Sequence, residues 1–352
     1  MGSLPVIALT GHLGAGKTSL LNHVLTAPGS RIGVVVNDFG DVNVDAGLVT
    51  GQIDEPVSIA GGCICCVSED GELDAALARL ADPGLRLDAI IVEASGLADP
   101  VAIARMIGFC EVPGVRAGGV VDVIDAETHF DTVDRDAVPP ARYRAASLVV
   151  VNKLDRVDTP GDTLERIRDR VARTNPRVQV VGAVGARVDP LLLYDVATDG
   201  AEPGQLSFRD LLTELAAEAP AGAHADDHDH VHADAVTVTG DVTGDGTGDG
   251  TVDPEALVAL LESPPAGVYR LKGVVSVRHR GGPRRYVVNV VGTAVHVAPA
   301  PSRTAAGAPE NTLVAIGMHL DTAQVRAAMA AALRPHPGLP TPAALRRLQR
   351  YR

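Results

Sequence analysis

The chain has 352 residues, 46% of them hydrophobic and 21% charged, and a formal net charge of −13 at pH 7. That length allows one large and one smaller domain with a sizeable core, and the acidic balance argues against nucleic acid or an anionic membrane surface as the main partner. No apolar run approaches a membrane span, and the N-terminal apolar stretch has no basic region before it, so it reads as a strand rather than a signal peptide and a cytoplasmic location is expected.

The apolar run Leu4 to Leu9 predicts a strand and Ser19 to Leu25 a helix. Between them lies Gly11-His12-Leu13-Gly14-Ala15-Gly16-Lys17-Thr18. G-x-x-x-x-G-K-T between strand and helix is the P-loop pattern. Gly11, Gly14 and Gly16 let backbone N–H groups from Ala15 to Ser19 face phosphate oxygens. Lys17 would reach the β- and γ-phosphates, Thr18 would offer its hydroxyl to Mg²⁺, and the helix dipole would add to the anion site. An ordinary glycine-rich turn would need none of these fixed positions. The lysines of this chain are Lys17, Lys153 and Lys272, every other one of its 31 basic residues being Arg. Two of those three thus fall in nucleotide motifs, where a compact ammonium and a guanidinium are not interchangeable.

Arg31 to Val36 reads as a second strand, ending at Asn37-Asp38-Phe39-Gly40-Asp41. In P-loop GTPases the segment after the first helix senses Mg²⁺ and the γ-phosphate. Asp38, Asp41 and Asp45 are therefore candidates for the Mg²⁺ shell or a second metal, although each alone also suits a turn or cap. Next comes Gly61-Gly62-Cys63-Ile64-Cys65-Cys66, holding three of the four cysteines. In a reducing compartment such a cluster points to metal or redox chemistry rather than a disulfide. Thiolates suit Zn²⁺, Cu⁺ or Co²⁺, and three close thiols leave one tetrahedral position to be filled from elsewhere. The alternative is a set of buried small side chains, the assignment given to Cys110.

A helical pattern covers Glu69 to Leu80, and Leu87 to Val92 predicts a strand that runs into Glu93-Ala94-Ser95-Gly96-Leu97-Ala98-Asp99-Pro100. Glu93 occupies the acidic strand-end position near Mg²⁺, and Gly96 would let a backbone N–H approach the γ-phosphate. The plainer reading is a strand-to-helix turn capped by Ser95 or Asp99. Gly119 to Ile124 is a further strand, and Ser147 to Val151 another, delivering Asn152-Lys153-Leu154-Asp155. This N-K-x-D matches the guanine-reading motif of GTPases. A carboxylate such as Asp155 accepts from guanine N1–H and the exocyclic amine, and adenine would leave it unpaired. Helices over Leu164 to Arg173 and Leu206 to Ala217, with a strand at Val178 to Val181, complete a β/α alternation. The fold expected is an α/β P-loop NTPase with a doubly wound, mostly parallel sheet over residues 1–219.

Residues 220–252 are rich in His, Asp and Gly and read as a flexible linker. His224, His228, His230 and His232 within it suggest weak, exchangeable metal binding or simply a solvated spacer. Residues 253–352 read as a small α+β domain: a helix at Pro254 to Leu261, strands at Tyr269 to Val277, Tyr286 to Val291 and Thr312 to Ile316, and a helix capped by Asp321.

Together, the P-loop, Asn37 to Asp41, Gly62-Cys63-Ile64-Cys65-Cys66, Glu93 to Pro100, N-K-x-D, Arg270-Leu271-Lys272-Gly273 and Ala315-Ile316-Gly317 resemble the CobW family of metal-linked P-loop GTPases along nearly the whole chain. Asp38 stands where that family often has Glu, and Ala94 where it often has Ser. The resemblance implies a GTP-hydrolysing metallochaperone that uses GTP and Mg²⁺, holds Zn²⁺ or Co²⁺ through Cys63, Cys65 and Cys66, and delivers it to a client protein. Lys17, Thr18 and Glu93, with Asp38, would serve hydrolysis. No glutamine is evident to orient the attacking water, so slow intrinsic turnover is expected. A zinc buffer with a vestigial P-loop and a P-loop kinase for a small substrate are the rival readings.

Overall fold

A computed structural model describes residues 3–26, 31–37, 57–59, 72–96, 98–194, 233–240, 250–300, 311–336 and 338–351. Asp38, Asp41, Asp45, the Cys63-Ile64-Cys65-Cys66 stretch, the helix expected at Leu206 to Ala217 and the His224 to His232 tract lie outside them.

The first unit runs β1 (Leu4–Gly11), α1 (Lys17–Leu25), β2 (Ile32–Asn37), β3 (Val57–Ile59), α2 (Glu72–Leu80), β4 (Ala89–Glu93), α3 (Pro100–Gly108), β5 (Val115–Asp125), α4 (His129–Thr132), β6 (Leu148–Asn152), α5 (Pro160–Ala172) and β7 (Gln179–Gly182). Its seven described strands are parallel, in the order β3-β2-β4-β1-β5-β6-β7. β4 and β6 are buried at every residue, the near-continuous apolar runs expected of parallel strands covered on both faces. Successive side chains of β1 divide between those faces. Ile7 and Leu9 join Leu20, Leu21 and Val24 of α1, whereas Val6 and Ala8 join Leu77 of α2 and Ile103 of α3. Half-buried Cys110 packs against the second cluster, and burial pushes its thiol pKa up. From β1 the chain goes to one side, to β2, while β5 lies on the other, so the loop after β1 opens at the switch point where open α/β sheets bind ligands.

The second unit has strands β8 (Asp234–Thr239), β9 (Val268–His279), β10 (Gly282–Val291), β11 (Ala294–Pro299) and β12 (Thr312–Gly317), and helices α6 (Pro254–Glu262), α7 (Thr322–Ala332) and α8 (Pro342–Gln349). Its sheet is antiparallel, in the order β11-β10-β9-β12-β8. Leu257 and Leu261 of α6, Val325 and Met329 of α7 and Leu348 of α8 share one core with Val275, Val288 and Leu313 of that sheet. Asp321 Oδ1 accepts from the Gln324 N–H at 3.0 Å, the N-cap expected for α7.

β8 corrects the expectation that residues 220–252 are all linker. Asp234 to Thr239 pair along the whole length of β12, and Thr251 and Val252 are buried just before α6. The cause is the Val/Thr alternation of Asp-Ala-Val-Thr-Val-Thr, which suits a pleated edge strand whatever the composition around it.

The two units meet at the N-terminal edge of the parallel sheet. Tyr269, Val291 and Met318 belong to the core cluster that contains Ile7 and Leu148. The Tyr269 hydroxyl lies 3.4 Å from Ser147 Oγ, one residue before β6, and His296 Nε2 lies 3.3 Å from Ser3 Oγ, one residue before β1. The nucleotide motifs occupy the opposite edge.

Candidate nucleotide site

Four neighbouring strands end at one edge and deliver the motif residues there. β1 opens into the P-loop, β4 ends on Glu93, β5 on Asp125 and β6 on Asn152. Gly16 sits at the N-cap of α1 with φ +104°, and a Cβ there would lie 2.4 Å from Asn152 Nδ2. Both conformation and space therefore demand glycine. No side chain caps α1, which leaves its first N–H groups facing the loop. Lys17 is buried, its Nζ donating to the carbonyl oxygens of Gly11 at 3.1 Å and His12 at 3.4 Å, so the ammonium is held over the loop.

Thr18 Oγ1 donates to Glu93 Oε1 at 2.7 Å, with Glu93 buried. The sequence separates this hydroxyl and carboxylate by 75 residues, and β1–β4 pairing brings them together. A hydroxyl and a carboxylate at the phosphate loop are the donor set a hard, oxygen-preferring cation needs, so the residues fit Mg²⁺. Gly96 packs against the loop from the same side, where a Cβ would come within 2.7 Å of the Leu13 nitrogen. A close backbone approach to the P-loop is thus built in at the residue expected near the γ-phosphate.

The N-K-x-D residues divide their work. Asn152 is a buried strut. Its Nδ2 donates to the Ala15 carbonyl at 3.0 Å and its Oδ1 accepts from the Ala186 N–H at 2.7 Å, joining the P-loop to the loop after β7. Lys153 adopts the left-handed conformation, φ +62°, and its Nζ donates to Asp125 Oδ2 at 2.5 Å. Asp155 is exposed on the single helical turn Leu154–Arg156, open to a base edge. Gly14 and Ser19 are exposed on the loop and at the start of α1.

Sequence reasoning passed over four residues here. Asp125 had a signal, an acid at a strand end one strand away from a rare lysine. The others form a buried cluster behind the loop: Asp122, fully buried, accepts from Thr10 Oγ1 at 3.0 Å and, through both oxygens, from Arg142 at 2.6 and 2.9 Å. Thr10 immediately precedes Gly11, so this ion pair braces the entry to the P-loop. Close by, burial drives the His129 pKa down to about 4, and its Nε2 lies 2.6 Å from the Tyr143 hydroxyl, which donates to Asp134 at 3.0 Å. Burial alone would raise the Asp134 pKa, but hydrogen bonds from Arg170 and Tyr143 outweigh it and hold that carboxyl below its usual value. Among the described residues no group of three or more His, Cys, Asp or Glu is arranged to hold a metal ion.

A parallel sheet with a P-loop at its switch point, a Thr–Glu pair beside it and an Asn–Lys–Asp segment two strands away defines a P-loop nucleotide-binding protein. Residues 5–182 match the family described as CobW/HypB/UreG, nucleotide-binding domain, and residues 247–333 match the cobalamin synthesis protein cobW C-terminal domain. The chain belongs to the CobW family. It is 30% identical over 366 aligned positions to the zinc chaperone CobW of Sinorhizobium sp, covering 94% of this chain and 97% of that protein. It is 32% identical to the zinc chaperone YjiA of Escherichia coli K12, over 55% of this chain and 62% of the relative. It is 29% identical to zinc-regulated GTPase metalloprotein activator 1 of Schizosaccharomyces pombe, over 53% of this chain and 47% of the relative.

Proposed function

We propose that this protein is a GTP-hydrolysing metallochaperone that captures Zn²⁺ or Co²⁺ through Cys63, Cys65 and Cys66 and passes it to a client metalloprotein. The observation that carries the reading is the convergence of Lys17, the Thr18–Glu93 pair and the N-K-x-D segment at one sheet edge, in a CobW-family chain with a C-x-C-C stretch between P-loop and Glu93. Asp155 would select GTP over ATP by accepting from guanine N1–H and the exocyclic amine. Lys17 and the amides of residues 14–19 would balance charge on the phosphates, with Gly96 N–H near the γ-phosphate. Thr18 and Glu93, with Asp38, would hold Mg²⁺ or its water, and that ion when bound supplies charge neutralisation at the transferred group. The thiols lie in sequence between two segments that sense nucleotide, so metal affinity should depend on the nucleotide bound.

The test is titration of reduced protein with Zn²⁺ and with Co²⁺, in the presence of Mg²⁺ and a non-hydrolysable GTP analogue, of GDP, or of no nucleotide. A coupling of about 1–3 kcal/mol gives roughly 5- to 150-fold differences in metal affinity, and metal must then tighten GTP binding by the same factor. Replacing Cys63 and Cys65 by Ser should remove the coupling while leaving metal-free GTP binding intact. Equal metal affinity in all three states would favour a zinc buffer. Preference for ATP in competition would favour a small-molecule kinase.

A further inference from the structure

One groove has both of its walls tied to the P-loop. It holds about 500 Å³ between α3 and the turn at residues 141–145, with Val101, Ala104 and Phe109 on one side and Ala141 on the other. Phe109, at the C-cap of α3, is 81% exposed, in a chain with only four Phe and no Trp. Arg105 and Arg144 line the same groove; both are exposed, and neither forms an ion pair among the described residues.

The α3 wall begins at its N-cap, Asp99, whose Oδ1 accepts from the Val101 N–H at 3.0 Å, three residues after Gly96 meets Leu13 of the P-loop. The opposite wall carries Arg142, held by Asp122, which also holds Thr10 at the P-loop entry. A rearrangement at the phosphates therefore has a packed route to each wall.

We propose that this groove docks an acidic segment of the metal-receiving protein, an apolar side chain seated beside Phe109 and carboxylates facing Arg105 and Arg144, with an affinity that differs between nucleotide states. The inference rests on the delivery reading above. Charge selects the occupant. The protein carries −13 overall, yet this apolar groove is rimmed by cations, which favour an acidic partner and steer its approach. A second copy seated face to face would set Arg105 and Arg144 against their own counterparts, an arrangement that like charges oppose. Phenylalanine and arginine are also enriched in protein–protein interfaces relative to the rest of the surface.

The test uses the full chain, loaded with GDP or with a non-hydrolysable GTP analogue, and a short fluorescein-labelled peptide with a central Leu flanked by Glu. Fluorescence polarisation should show binding that is tighter in one nucleotide state. Phe109→Ser and the Arg105→Glu/Arg144→Glu pair should each weaken it roughly tenfold or more, and a peptide with Lys in place of Glu should not bind. All these positions are exposed, so the variants should keep the parent melting temperature. Absent binding, binding that survives both variants, or equal affinity in the two states overturns the proposal. So does a dimer, seen by sedimentation, that Phe109→Ser dissolves. GTP binding, hydrolysis and nucleotide-dependent metal affinity measured on the same samples separate the two readings. If they persist without peptide binding, only the docking proposal fails; if they are absent, the delivery reading itself fails.

Discussion

Replacing Asn152 with alanine should loosen the nucleotide edge from within. The side chain is 3% exposed and makes two hydrogen bonds, to the Ala15 carbonyl at 3.0 Å and from the Ala186 N–H at 2.7 Å. Alanine removes both partners at once and leaves a buried acceptor and a buried donor unpaired. Each such group costs about 1–3 kcal/mol, giving a total of about 2–6 kcal/mol. The two loops can relax, so the cost divides between stability and binding. If all of it falls on folding, the lower figure lowers the melting temperature by roughly 3–5 °C, according to whether the whole chain or the first unit melts. If all of it falls on binding, GTP-analogue affinity drops roughly 30-fold. Calorimetry for binding and a melting curve for stability, summed, should reach about 2 kcal/mol. Asn152→Asp should do at least as much damage, since a carboxylate can still accept from Ala186 but turns a negative oxygen toward the Ala15 carbonyl. Wild-type melting and wild-type affinity together in Asn152→Ala would falsify the strut assignment.

Asp155→Asn should lower affinity for GTP and raise it for the xanthosine nucleotide, because an amide can donate to the xanthine C2 carbonyl; competition binding reads the switch, and an unchanged GTP preference would count against Asp155 as the base reader. Arg142→Met leaves Asp122 buried without its cation and should cost about 3–5 kcal/mol in urea unfolding, while adding Asp122→Asn should recover part of the loss. A cost near zero for Arg142→Met would mean that water reaches the pair. His129 is held neutral when folded, with its pKa down at about 4 against 6.5 for an unperturbed histidine. Between those values the unfolded chain binds the extra proton, so stability is complete above about pH 6.5 and falls as pH drops toward 4, by up to about 3 kcal/mol. His129→Gln should flatten that slope, and an equally steep slope in the variant would transfer the effect to another group.

The nucleotide edge could be read from sequence because its chemistry is local. Seven fixed or flanking positions from Gly11 to Ser19 lie within one turn and the start of one helix, and N-K-x-D spans four residues. The second half of the site was hidden because it is made by strand pairing. Asp122 and Arg142 are 20 residues apart, Thr10 and Asp122 more than a hundred, and no periodicity links them. Thr18 and Glu93 are each expected near Mg²⁺ from their own motifs, but only β1–β4 pairing puts the two side chains in contact. One helix was missed despite an adequate signal. α8 starts with Thr341 at the cap and Pro342 in its first turn, a recognised helix opening, whereas the Asp99 cap of α3 is already the plainer reading of that turn. β3, at three residues, is too short to carry a pattern. β8 is hidden by composition: a His- and Asp-rich stretch precedes it, repetitive Thr, Gly and Asp follow it, and its own alternation spans six residues.

The place of β8 in the second sheet also sets an order of events during synthesis. The described strands of the parallel sheet have all emerged once β7, ending at Gly182, is made, so each of them has its ladder partner early. β8 is different. Among the described residues it pairs with β12 alone, and Thr239 and Thr312 are partners although 73 residues separate them. At the usual elongation rate of about 5–20 residues per second, the nascent strand waits roughly 4–15 seconds with its ladder unmatched. An unmatched strand is an invitation to mispairing with neighbouring chains on a polysome. The polar Thr237 and Thr239 along β8 make that wait safer than an all-valine edge would, which makes them the positions where a hydrophobic substitution should lower soluble yield without lowering the melting temperature of what does fold.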